Sequence, residues 1–273
     1  MKSAVSRAVV AVSVAAVLGA SAACSSSGAG DGGGGGGGDR NPAKRHASAS
    51  TLERAALTAG DIKGYDVEDP NASGESGRSG GSGGSGESGA GAAAPPAGKP
   101  SAAECGPLAA ALGAGAAPGR TKAHVGRVLT PADGKELTTT GVDLSGRTKA
   151  GAEHAMADLR AASKSKKCTA FRIGDDRYVG LEPLPAPDKG DEAVSYKAAH
   201  RKGDYVTRES VTVVRSGSTL VVFDASNLYD PESVQNDREA AKDGTEGIRS
   251  PTADEDPTVA PKIIDAQLAK LTT

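Results

Sequence analysis

YVTRESVTVVRSGSTLVVFDA, residues 205–225, is the stretch that decides the fold. Its two halves, 205–215 and 219–225, are rich in β-branched and aromatic residues, which suit a pleated, half-buried surface. Between them Ser216-Gly217-Ser218 reads as a turn, because Gly217 can take the positive φ that tight hairpins need. The pairing sets Val211, Val213 and Val214 against Leu220, Val221, Val222 and Phe223. One hairpin is marginal alone in water, so other strands must complete a sheet. Residues 193–200 supply a partner strand.

Working outward, 147–166 is the clearest helix. Ala152, Ala155, Met156, Leu159 and Ala162 share one face, and this small-residue face suits close packing on a sheet. Strand-like segments flank it at 123–129, 136–143, 168–173 and 177–181. Ser101 and Glu104 have capping-box spacing, but Gly106-Pro107 interrupts any long helix, so a short helix at 107–112 is an equal reading. A further short helix is expected at 51–57. Residues 231–256 are polar and read as a long loop with one helical turn. A closing helix after Pro257 carries Ile263, Ile264, Leu268 and Leu271 as its apolar stripe, with Pro261 tolerated in the first turn.

The composition is that of a mixture. Of 38 Gly in 273 residues, 9 lie in 24–50 and 10 in 72–100, so these two stretches are expected to be disordered tethers. The remaining 51–71 and 101–273 keep an ordinary glycine content and all the aromatics, so the globular domain is assigned to 51–273 with an insertion at 72–100. Seven aromatics, with no Trp, leave the core to Val, Leu, Ile and Ala. A net charge of −2, with acids and bases mixed, gives no footprint for nucleic acid.

Lys2 and Arg7 precede an uncharged apolar run over 8–23, too short to span a bilayer and typical of a secretory signal. Ser21-Ala22-Ala23-Cys24 resembles a bacterial lipobox, with Ser21 where Leu is usual. The resemblance implies that 1–23 are removed and that Cys24 carries a diacylglycerol anchor. Lipid-anchored attachment to the extracytoplasmic face of the cell membrane is therefore expected. The alternative is an ordinary signal peptide cut near Ala23. Removing Cys24 leaves Cys105 and Cys168, best explained in an exported protein as one disulfide; two buried thiols, or a metal pair lacking partners, are the alternatives.

The mature region resembles the extracellular sensor domain of a mycobacterial serine/threonine protein kinase (PknH-like) and its actinobacterial lipoprotein relatives. The resemblance rests on Leu57-Thr58-Ala59-Gly60-Asp61 with Gly64-Tyr65, and on Cys105 followed by Pro107-Leu108. It rests also on the Ala-rich helix ending near Cys168, the 211–223 hairpin and the closing Leu268-Ala269-Lys270-Leu271. It implies an α+β domain, a mainly antiparallel sheet with packed helices, disulfide-supported, with a cleft that receives an extracellular ligand. This sequence has one candidate disulfide where that sensor has two, and it inserts 72–100. The function expected is a sensor-like domain that binds a ligand or partner. The alternative is a structural or accessory envelope protein without a small-molecule ligand.

Motifs for chemistry are lacking. There is no phosphate-binding loop, Glu153-His154 lacks the second histidine of a zinc-protease helix, and no nucleophile elbow occurs. His46, His124, His154 and His200 are dispersed and read as surface residues. Asp175-Asp176 and Asp254-Glu255-Asp256 read as solvated loops rather than calcium ligands. Tyr178, Tyr196 and Tyr205 read as core or half-buried residues. The expectation is a protein that is not an enzyme, with no cofactor and no metal, and with ligand-binding residues unassigned.

Overall fold

A computed structural model describes residues 47–70, 100–112, 123–134, 136–244 and 249–272. The expected signal peptide at 1–23, Cys24, most of the first tether and the insertion up to Lys99 lie outside the described residues. In chain order the elements are α1 (Ala49–Ala55), β1 (Tyr65–Glu68), α2 (Gly106–Ala109), β2 (His124–Pro131), β3 (Thr139–Gly146) and α3 (Lys149–Ser163). They continue with β4 (Ala170–Ile173), β5 (Asp176–Leu184), β6 (Glu192–Lys202), β7 (Tyr205–Ser216), β8 (Thr219–Tyr229), α4 (Pro231–Lys242) and α5 (Pro261–Leu271). Single 3-10 turns, Ala103–Cys105 and Lys166–Cys168, precede α2 and follow α3.

The central hairpin forms as its residues require. Val213 pairs with Val222, Val214 with Val221 and Ser216 with Thr219, leaving Gly217-Ser218 as the turn. Gly217 sits at φ +60°, open to glycine at no steric cost. Val211 faces Asp224 rather than an apolar partner. Around this hairpin stands one sheet of eight strands in the order β1-β2-β3-β8-β7-β6-β5-β4, antiparallel throughout. The chain builds β1 to β3 from one edge, crosses over α3 to the far edge, and returns as a meander until β8 meets β3.

Alternation along β7 and β8 sends successive side chains to opposite faces. On the first face Val211, Val213, Leu220 and Val222 pack with Cys105, Leu108, Met156 and Leu159 of the α2–α3 region. On the second face Val214, Val221 and Phe223 pack with Leu52, Leu57, Ile263 and Ile264 near α1 and α5. The result is an α+β sandwich with helices on both faces of an antiparallel sheet. Cys105 and Cys168 are joined as a disulfide with their Cα atoms 5.5 Å apart, tying the turn before α2 to the turn after α3. The expected α+β class, antiparallel sheet and single bridge all stand.

Several expectations need correction. α1 starts at Ala49, ahead of residue 51, because the Ser48 hydroxyl accepts from Thr51 N at 3.2 Å and caps it. Ser101 does not cap a helix; its hydroxyl accepts from Arg172 N at 3.1 Å and ties that segment to β4. The helix after it, α2, covers Gly106–Ala109 only. Residues 231–242 are a full helix, α4, rather than one turn in a loop. Asp230 caps α4 and Pro231 opens it, a polar helix whose sole buried residue is Val234. On α5 the buried residues are Ile263, Ile264 and Gln267, while Leu268 and Leu271 are only half-buried.

Candidate functional site

The second face of the sheet is divided. Toward β2 and β3 it is mainly apolar and packs with residues of α1 and α5, with Arg127 buried among them and donating to the Leu57 carbonyl. Toward β5 and β6 it turns polar, because alternation in β7 places Arg208, Ser210 and Thr212 on the face opposite Glu209, Val211 and Val213. Their neighbours across the ladder are Asn227 for Arg208, Lys197 for Ser210 and Ser195 for Thr212. Ser195 and Thr212 hydroxyls bond each other at 2.8 Å.

Residues 249–260 cross this polar half as a strap. Arg208 Nη1 donates to Asp256 Oδ1 at 2.6 Å, and Lys197 Nζ donates to Asp256 Oδ2 at 2.8 Å. Arg208 Nε also donates to the Ala253 carbonyl at 2.5 Å, and Asn227 Nδ2 to the Glu255 carbonyl at 2.9 Å. Ser250 N donates to Asp237 Oδ2 at 2.6 Å, fastening the near end of the strap to α4. Burial alone would raise the Asp256 carboxyl, but the donors from Lys197 and Arg208 hold it below the usual carboxylate range. The Lys197 ammonium is raised in turn, first by its hydrogen bond to Asp256.

The strap leaves hollows on both sides. One cavity of about 260 Å³ lies between the end of β5, the strap and α5. Its walls include Leu184, Pro185, Pro187, Val259 and Ile264, and its floor Ser195, Ser210 and Thr212. A second cavity of about 330 Å³ is more polar, with Tyr65, Thr140, Asn227, Arg249 and Glu255 among its lining residues. Pro257 and Thr258 line both. A third, of about 210 Å³, sits at the β5 irregularity near Lys197 and Asp256. Ser210 Oγ and Asn227 Oδ1, both buried, have no hydrogen-bond partner among the described residues. Ser210 is a lining residue of the first cavity and Asn227 of the second.

The first face carries a buried polar cluster of another kind. Glu209 and Asp224 approach each other beside His200 and Tyr178, whose rings lie 4.9 Å apart. Burial, reinforced by Asp224, pushes the Glu209 carboxyl well above its ordinary value. Burial lowers His200 and raises the Tyr178 hydroxyl, so all three favour their neutral forms. Nearby on the same face, His124 Nε2 lies 2.5 Å from Asp143 Oδ1. Ser145, across the ladder from His124, has a buried hydroxyl with no hydrogen-bond partner among the described residues.

The residues singled out in the sequence fare differently. Cys105 and Cys168 are together; Cys24 lies outside the described residues. His124 and His154 are on the surface, whereas His200 is largely enclosed. Tyr178 and Tyr196 are core residues, the Tyr196 hydroxyl donating to the Leu108 carbonyl at 3.0 Å, while Tyr205 is exposed. Asp256 is an exposed loop carboxylate, as expected, and it also accepts from Arg208 and Lys197. Among the described residues no three His, Cys, Asp or Glu side chains converge as a metal site. No helix among them is long and apolar enough to cross a membrane. Sequence reasoning missed Ser195, Ser210, Thr212 and Arg208, although their period-two spacing within the strands was the signal that could have found them.

No family model matches the chain. No curated protein matches it either.

Proposed function

We propose that this chain is a membrane-anchored extracytoplasmic lipoprotein whose domain binds a ligand in the strapped groove on the second sheet face. The observation that carries the reading is the roughly 260 Å³ cavity with a hydroxyl floor, walled by the strap and by rigid prolines. A sheet face filled by side chains would have argued for the accessory role instead. The kinase-sensor resemblance belongs to the same proposal, since it anticipates a cleft on a disulfide-supported domain. In this reading the domain holds its ligand without chemistry, and Cys24 holds the domain to the bilayer through its acyl anchor.

Two experiments test the reading separately. Mass spectrometry of the mature N-terminus is expected to find an acylated Cys24; an unmodified cysteine removes the anchor. Identification of small molecules released from the full chain on unfolding, after purification from its native envelope, tests the binding role.

A further inference from the structure

We propose that the cavity beneath residues 257–261 takes a neutral, mainly apolar molecule of fragment size, seating one hydroxyl-type group on Ser210. This inference rests on the ligand-binding reading above and names the class of ligand.

The walls set the apolar part. Leu184, Pro185, Pro187, Val259 and Ile264 offer carbon surface, and the proline rings fix their stretches of backbone in advance. The floor sets the polar part. Ser195 and Thr212 satisfy each other at 2.8 Å, whereas the neighbouring Ser210 hydroxyl, in a residue 5% exposed, has no partner among the described residues. A serine hydroxyl both donates and accepts, so it matches an alcohol or phenol better than a group of one polarity.

Charge is excluded by the same lining. Lys189 is the charged side chain present, and its ammonium is engaged by Asp265 of α5 at 2.7 Å. A carboxylate or ammonium entering the cavity would lose its hydration and meet no free counter-charge. The polar cavity on the other side of Pro257 has ionic lining of both signs, Arg249 and Glu255, which are bonded to each other at 2.8 Å.

The test uses the full chain in lipid nanodiscs and fluorine NMR line broadening of three probes: 4-fluorobenzyl alcohol, 4-fluorobenzoate and 4-fluorotoluene. Ala186→Trp, at an exposed rim position, serves to occupy the opening without disturbing the core, and Ser210→Ala removes the hydroxyl. The alcohol is expected to broaden with the parent chain and not with Ala186→Trp. Ser210→Ala should weaken it about fivefold, bringing it level with 4-fluorotoluene. The benzoate should bind at least about tenfold more weakly than the alcohol. Benzoate binding as strong as the alcohol, and lost in Ala186→Trp, overturns the neutral class but leaves the ligand-binding reading standing. An alcohol indifferent to Ser210→Ala overturns the seat. Equal broadening of every probe by the parent chain and Ala186→Trp overturns the cavity as a site. A parent chain that also releases no small molecule on unfolding removes the ligand-binding reading itself.

Discussion

Arg208 Nη1 and Asp256 Oδ1 lie 2.6 Å apart, and this bond fastens a twelve-residue strap (249–260) to the middle of the sheet. Lys197 completes the fastening from the next strand. Asp256→Asn keeps the size of the side chain and removes the charge. Both partners are partly exposed, so the global cost is about 1 kcal/mol or less. Amide exchange should respond locally. Exchange is expected to rise about tenfold over the strap, with little change at Val213 and Val222. Uniformly faster exchange would mean that the strap is part of the core rather than a fastened cover.

Gln267 is fully buried on α5, among Ile263 and Ile264. Its Oε1 accepts from Leu57 N at 3.1 Å and its Nε2 donates to the Ala55 carbonyl at 2.7 Å, satisfying the backbone where α1 ends. Gln267→Leu fills similar space but strands both groups away from water. The expected loss is about 2–4 kcal/mol, read as a lower denaturant midpoint with an unchanged slope. A neutral result would show that α1 separates from α5 and lets water in.

The Cys105–Cys168 bridge spans 63 residues of sequence. Restricting the unfolded chain over that span is worth about 4 kcal/mol in the chain-entropy model. The double variant Cys105→Ala with Cys168→Ala should lose a comparable amount in equilibrium unfolding. A loss below about 1 kcal/mol would show that the sandwich holds these turns together without the bond.

Glu209 gives the domain a particular pH dependence. Its carboxyl is raised in the fold by burial and by Asp224, so the folded chain keeps a proton that the unfolded chain releases above its ordinary value of 4.5. Its contribution is fully present below that value and is lost as pH rises toward the folded one. Glu209→Gln removes this dependence while retaining hydrogen-bonding capacity. The variant should match the parent chain near about pH 4 and exceed it by about 1 kcal/mol or more near about pH 8. Parallel stability curves would show that Glu209 is ionised in the folded protein.

The sheet was legible because its signals are local. The 205–225 segment carries its own turn and period, and 147–166 carries a helical stripe that packs as its spacing requires. What the sequence hid is long-range. Nothing local to Gln267 says that its amide caps another helix, so it breaks an otherwise apolar stripe for no visible reason. α4 was missed because a polar helix with one buried valine lacks the periodic apolar signal, although Asp230-Pro231 marks its start. Asp61 and Lys270, far apart in the chain, meet at 2.5 Å. That contact, with the Thr58 hydroxyl at 2.6 Å, holds the Asp61 carboxyl at about 2, a value no loop composition foretells. The groove was hidden for the same reason: its floor comes from strands and its roof from a strap that enters long after them.

The most direct test of the account compares the small molecules released on unfolding from the full chain and from Ala186→Trp, each purified from the native envelope and identified by mass spectrometry. A ligand-binding groove should give a molecule carried by the parent chain in near one-to-one amount and missing from the filled variant. Identical release from both, or none from either, would contradict a ligand-binding groove on this face.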